Sequence, residues 1–365
     1  MSEYQLQKKQ NYNDRLRSVL KELPDFCSLY FRAIEPTTSI LTRYGYAVDL
    51  RSFFRFLCSG QIDRFSGRSS DQFTLADVDG LSSLDIELYL DYISLYRSKS
   101  SESEKIIENN ERAKARKLSA IRSLFKYLYK RSLIKTNCAA LVDTPKLHEK
   151  AIIRLEANEV ADLLDATESG SGMTKAQRRF HDSTKLRDVA ILSLFLGTGI
   201  RISELVGIDL NDIDFSKNQF VVTRKGGNQE TLAFGPEVAS ALSEYLEERK
   251  TIIPVSGHES AFFLSMQRRR ITPRAVENLV KKYASVATPL KKITPHKLRS
   301  TYGTMLYQES GDIYLVADVL GHKDVNTTRK HYAAMKEDRS RLAAKYIKLR
   351  EDDPTALDSE PSPEQ

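Results

Sequence analysis

Residues 186–208 read LRDVAILSLFLGTGIRISELVGI, and the way this stretch divides decides the fold of the second half of the chain. Leu186 to Leu196 is a strong apolar helix that stops at Gly197-Thr198-Gly199, because glycine readily takes the left-handed conformation that closes a helix. Arg201 then opens a second, short helix over ISELVGI. Downstream, QFVVTRKGGNQETLAF (219–234) alternates apolar residues on both sides of Gly226-Gly227, which is a β-hairpin signal. Helical pattern resumes at Pro236, with interruptions at Pro254, Pro273, Pro289 and Pro295. Upstream, NEVADLLDA (158–166) is helical and breaks at ESGSG (168–172), which reads as a surface loop running on through the basic stretch Lys175 to His181. This half is therefore mainly α with a small antiparallel β-sheet.

The first half reads as helices alone. Pro24 suits a helix first turn before DFCSLYFRAI, and Thr38 or Ser39 can cap a helix with Ile40, Tyr44, Ala47, Val48, Phe54 and Leu57 on one face, ended by Gly60. A third helix starts after Ser83. A fourth runs from about Asn110 to Arg131, burying Leu118, Ile121, Leu124, Phe125 and Leu128. Its other sides carry Arg112, Lys114, Arg116, Lys117 and Arg122, followed by Lys126 and Lys130. A solvated face is the plain reading of such charges, but charges nearly all of one sign are poorly explained by intrahelical pairs and better by phosphate contacts. Between the halves, residues 143–152 lack periodicity and contain Pro145, which suits an interdomain linker.

The totals agree with this division. At 365 residues the chain exceeds what one core usually needs. Cys27, Cys58 and Cys138 are few and scattered, so neither a disulfide framework nor a zinc or other metal site is indicated. No apolar run is long enough to cross a bilayer and the N-terminus lacks a signal peptide's apolar core, so the expected location is the cytoplasm, with no membrane partner. The net charge of +7 fits a polyanionic partner without proving one. Residues 351–365, EDDPTALDSEPSPEQ, have the composition of a disordered acidic tail.

Four segments carry chemistry: GTGIRISEL, the hairpin turn at Lys225, ITPHKLRSTYGTML and VLGHKDVNTTRKHYA. They supply Arg201, Lys225, His296, Arg299, His322 and Tyr332. Each has a dull reading by itself, since a GTGxR turn, an HxxR helix, a Gly-His C-cap and a turn lysine are all common. Together they are almost entirely cationic or proton-donating groups plus one hydroxyl nucleophile. Such a set suits phosphoryl transfer without a metal or other cofactor. Two arginines can grip the non-bridging oxygens, a lysine can protonate the leaving oxygen, and a histidine can take or hold the tyrosine proton. Tyrosine, with an ordinary pKa of about 10, needs such neighbours to attack near neutrality.

On these motifs the sequence resembles the tyrosine recombinase (phage integrase) family, over residues about 35 to 345, and looks most like its Xer-type and transposon-integrase members. The motifs are Thr198-Gly-Ile-Arg201-Ile-Ser-Glu204-Leu205, Lys225 on its hairpin, His296-Lys-Leu-Arg299, Leu320-Gly-His322 and Thr327-Thr328-Arg-Lys-His-Tyr332. The resemblance implies that Tyr332 is the nucleophile, that Glu204 supports the site, and that a helical core-binding domain precedes a catalytic domain. The corresponding layout is an extension over 1–14, a DNA-binding domain over 15–142, a linker over 143–152, a catalytic domain over 153–350 and the tail. Two departures stand out. Tyr332 lies ten positions after His322 where nine is usual in the family, and Asn228, Gln229 and Thr231 stand where many relatives have basic residues.

The resemblance further implies a clamp on double-stranded DNA bearing a specific site, four protomers on two such sites, and exchange through a Holliday junction. The apolar positions Leu342, Ala343, Tyr346 and Ile347 suggest a C-terminal helix that docks on a neighbouring protomer or on its own domain. The short stretch ahead of residue 15 leaves no room for an additional arm-binding domain. A non-catalytic DNA-binding accessory protein and a type IB topoisomerase-like relaxing enzyme are the alternatives on the same chemistry.

Overall fold

The computed structural model describes residues 3–100, 103–146, 153–224, 227–321 and 325. The chain forms two compact units, 1–150 and 151–365, each with its own core. Lys225, His322, Tyr332, the C-terminal segment 338–350 and the tail lie outside the described residues, as does 147–152 of the linker.

In the first unit, α1 (Glu3–Leu20) and α2 (Asp25–Ala33) lead to α3 (Ile40–Leu57), then α4 (Leu75–Asp79) and α5 (Ser83–Tyr92). An antiparallel hairpin, β1 (Leu95–Ser100) and β2 (Ser103–Glu108), precedes α6 (Glu111–Lys130). The caps follow the sequence. Ser39 Oγ accepts from Thr42 N at 3.2 Å, and Asn110 Oδ1 accepts from Ala113 N at 3.0 Å, satisfying N–H groups that the first turn leaves without partners. α3 and α6 face each other across the core, contributing Leu50, Phe53, Phe54, Leu57, Leu118, Ile121 and Leu124, all essentially fully buried. α1 runs unbroken from Glu3 past residue 14, and Tyr12 meets Tyr44 of α3 edge-on at 5.6 Å.

The cations of α6 differ in their surroundings. Lys117 is buried and places its ammonium 3.5 Å from the fully buried Asp49 of α3, whose other oxygen takes Arg116. Arg122 donates to the carbonyls of Ala139 and Val142 and to Thr144 Oγ1. Three of the five expected phosphate contacts thus hold α6 to its own unit, and Lys117 faces the interior. Burial is the main influence on Asp49 and pushes its carboxyl above the usual range despite both cations. Arg112 is exposed and Lys114 half-exposed.

The second unit opens with α7 (Ala157–Ser169), closed by Gly170 at φ +66°. The basic stretch expected as loop is a helix, α8 (Lys175–His181). Thr174 and Gln177 close a capping box in which Gln177 N donates to Thr174 Oγ1 at 3.3 Å and Thr174 N to Gln177 Oε1 at 3.0 Å. That pairing nucleates a helix directly after the glycines. α9 (Lys185–Thr198) packs against α7, α11 (Pro236–Thr251) and α13 (Pro295–Ser310). Ala190, Ile191, Leu194 and Phe195 of α9 are wholly buried. After the short α10 (Ile202–Leu205), strands β3 (Ile213–Asp214), β4 (Gln219–Thr223) and β5 (Gln229–Ala233) form an antiparallel sheet in that order, with Phe220 opposite Leu232 and Val222 opposite Glu230. α12 (Pro273–Ala287) and α14 (Ile313–Val319) complete the described elements. Pro273 and Pro295 begin α12 and α13 rather than interrupt helices, since the first helical position needs no N–H. No helix among the described residues is long and apolar enough to cross a membrane.

Asp188 pins α9 to α12. It is almost fully buried and accepts from Tyr283 Oη at 2.9 Å, Lys282 Nζ at 2.9 Å, Thr184 Oγ1 at 3.1 Å and Arg187 Nη2 at 2.6 Å. Burial, with Asp188 beside it, pushes the Tyr283 phenol up, so the hydroxyl stays a donor. Removing a buried charge strands its partners, at about 3 kcal/mol for a pair whose cations are partly solvated. Asp188→Ala should therefore lower the urea midpoint of this unit strongly while Asp188→Asn, which keeps the acceptor oxygen, costs less. Equal midpoints for the two variants would refute this account.

Candidate active site

Arg201, Glu204 and Arg299 converge because the α9–α10 corner is exceptionally tight. Gly199 closes α9 at φ +60°, and a Cβ there would stand 2.4 Å from the Tyr302 ring and 3.0 Å from Leu320. Only glycine fits, and the corner turns Arg201 toward the C-terminal end of α14. Glu204, nearly buried, accepts from Arg201 N at 3.0 Å and from Arg201 Nη1 at 2.9 Å. One carboxylate thus caps α10 and fixes the orientation of the guanidinium.

Arg201 Nη2 then donates to the carbonyls of Leu320 and Gly321, both at 3.0 Å. Arg299, buried on α13, donates to the Leu320 and Gly199 carbonyls. The two guanidinium groups therefore meet at one carbonyl, two residues before His322. His296 is exposed and one helical turn before Arg299, so the two share a face of α13.

A third guanidinium completes the cluster, and the sequence reading missed it. Arg224, at the end of β4, donates to the carbonyl of Val319 at 3.1 Å and lies 3.4 Å from that of Leu320. Glu230 on β5 receives it in a two-point contact at 2.6 and 2.8 Å, and Glu204 lies 3.6 Å away. Gly321, at φ +57°, would place a Cβ 2.9 Å from the Arg224 guanidinium carbon. Burial works against the Arg224 charge, but its contacts with Glu230 and Glu204 outweigh it and hold the proton more firmly than usual. Glu230 in turn sits below the usual carboxylate range, chiefly through its hydrogen bond to Arg224 and further through Arg201 and Arg299. The one visible signal was an Arg and a Glu flanking Gly226-Gly227 on opposite strands of the hairpin.

Three cations facing two carboxylates leave a positive excess beside the exposed part of Arg201. Forked N–H donors of this kind match a phosphate oxygen pair. Among the described residues no group of three or more His, Cys, Asp or Glu side chains is placed to hold a metal ion.

Residues 153–339 match the profile of the phage integrase family. The chain is 34% identical over 316 residues to tyrosine recombinase XerC of Caldanaerobacter subterraneus subsp. tengcongensis, covering 82% of this chain and 79% of the relative. The chain belongs to the phage integrase family, the tyrosine recombinases. Tyrosine recombinase XerS of Lactococcus lactis subsp. cremoris is 29% identical, with 88% of this chain and 95% of the relative covered. The fold agrees: the XerH site-specific recombinase, solved on its palindromic difH substrate as a post-cleavage complex, aligns with a TM-score of 0.62 at 19% identity over 84% of this chain and 80% of that one. The mainly helical architecture with a small antiparallel sheet is that of this family. The matched region spans all the motif positions, including Lys225, His322 and Tyr332, which lie outside the described residues.

Proposed function

We propose that this tyrosine recombinase cuts and rejoins duplex DNA at a specific site, with Tyr332 as nucleophile. The observation that carries the reading is the meeting of Arg201 and Arg299 at the turn leading into His322. The Tyr332 hydroxyl oxygen attacks the scissile phosphorus and the bond to the 5′ oxygen breaks, leaving a 3′-phosphotyrosine. His322 or His296 accepts or holds the phenol proton, and Lys225 gives a proton to the departing 5′ oxygen. Arg201 and Arg299 hold the non-bridging oxygens as charge develops there, and Glu204 positions Arg201. The phosphotyrosine stores the energy of the broken bond, so religation requires no high-energy cofactor. DNA contacts from Arg112 and Lys114 fit their exposure, and Arg116 can reach a phosphate while bound to Asp49.

Exchange between two sites in a tetramer, through a Holliday junction, follows as the finer proposal. The relatives named recombinases support it over a relaxing enzyme. The test begins with duplexes selected by the protein from a randomised library. A nicked duplex carrying the selected site should trap a denaturation-resistant protein–DNA adduct. Plasmids with two such sites should yield rearranged circles, with a junction intermediate visible at early times. Relaxation of single-site plasmids without rearranged product would instead favour the topoisomerase-like reading, and absence of any adduct would overturn the proposal.

A further inference from the structure

We infer that Arg224 is a positioning residue for the arginine pair: it neutralises Glu204 and Glu230, leaving Arg201 and Arg299 available to a phosphate, and fastens the hairpin to the end of α14. The inference rests on the reading of those two arginines given above. Glu204 is a ligand of both Arg201 and Arg224, at 2.9 and 3.6 Å. The carbonyl of Leu320 is common to all three guanidinium groups. Glu230 is bound in a fork by Arg224 and feels Arg201 and Arg299 as well. Arg224 therefore touches both carboxylates of the cluster and shares the Leu320 carbonyl with Arg201 and Arg299.

Two consequences follow from charge and geometry. Without Arg224 the remaining two cations would face two carboxylates, and the positive excess at the site would vanish. Glu230 would then compete with the DNA phosphate for Arg201 and Arg299. The main chain adds a mechanical link, because Arg224 N donates to Asn228 O at 2.8 Å and Gly227 N to Arg224 O at 3.0 Å, closing the hairpin. The side chain of the same residue grips the α14 carbonyls. Its nearly complete burial makes this a fixed strut rather than a mobile surface arginine; its side chain is 9% exposed.

The discriminating experiment compares adduct formation on the selected nicked duplex by wild type, Arg224→Gln, Glu230→Gln and the double variant, at saturating protein. Arg224→Gln should slow adduct formation about 10- to 100-fold, the range for residues that orient a reacting shell, with DNA affinity changed by less than about threefold. Adding Glu230→Gln should recover much of that loss, since it removes the carboxylate left unneutralised. A purely structural role predicts the opposite, with the double variant no better than the single. Arg224→Lys serves if the glutamine variant fails to fold: it keeps the charge and should stay within about tenfold of wild type, with Glu230→Gln giving it little further benefit. Wild-type rates in Arg224→Gln, or no recovery in the double variant, overturn the inference while leaving the proposed function standing. A wild-type protein that forms no adduct overturns the proposed function instead.

Discussion

Tyr332→Phe should abolish the covalent adduct on a nicked duplex while leaving DNA affinity within about twofold, because phosphate contacts elsewhere dominate binding. The substitution removes one oxygen and keeps the ring, so an effect confined to chemistry is expected. Loss of a nucleophile that acts in concert with its neighbours costs about 10⁴-fold or more in rate. Two control tyrosines sharpen the result. Tyr302 is a described tyrosine close to Arg299, against Gly199, but burial pushes its phenol up, which opposes the deprotonation a nucleophile requires. Tyr346 lies fourteen residues beyond Tyr332 in an amphipathic segment. Tyr302→Phe and Tyr346→Phe should both retain the adduct. Peptide mapping that placed the DNA on either of them, or an undiminished adduct in Tyr332→Phe, would sink the assignment.

How much of this was legible in the sequence depends on how far apart the partners lie. Arg201 and Glu204 were readable because a three-residue spacing at a helix start both caps the helix and makes an ion pair, and Arg299 because it follows His296 by one turn. Arg224 was not, since its partners lie 20 positions back, 6 ahead and about 95 ahead. Nothing local distinguishes such a residue from any turn cation. The cations of α6 show the converse case. Their one-sided sign suggested a polyanion, yet the buried Asp49, 68 positions earlier than Lys117, takes two of them. α8 was misread for a different reason: the glycines at 170 and 172 suggested continuing loop, whereas the Thr174–Gln177 box restarts the helix at once. The β1–β2 hairpin carries no glycine or asparagine turn signal and is rich in serine and charge, so neither periodicity nor turn chemistry announced it. α1 hid similarly, its buried residues, Leu16 and Val19, falling only in its last turns.

Arg299→Gln is the second large effect to expect, and here structure and chemistry must be separated. The side chain is buried and holds the carbonyls of Gly199 and Leu320, so it fastens the α9–α10 corner to the end of α14 before any DNA arrives. Losing Arg299 leaves the Gly199 carbonyl without its guanidinium donor, at about 1–3 kcal/mol if it stays unsatisfied, whereas the Leu320 carbonyl keeps Arg201. Glutamine's amide can recover part of that contact. The loss of a preorganised donor from the transition state adds about 10²- to 10³-fold in rate. Adduct formation should therefore fall by at least about 10²-fold with the protein still folded by thermal melting. Arg299→Lys should recover little, because a single ammonium cannot span both carbonyls and a phosphate oxygen. A substrate with a methyl group in place of one non-bridging oxygen at the scissile position separates the two roles. It carries no charge there, so a defect arising from lost charge stabilisation should shrink to less than about tenfold on it, as differential transition-state binding requires. A defect of the same size on both substrates would make Arg299 a purely structural clasp, and the grip on phosphate would then fall to Arg201 alone.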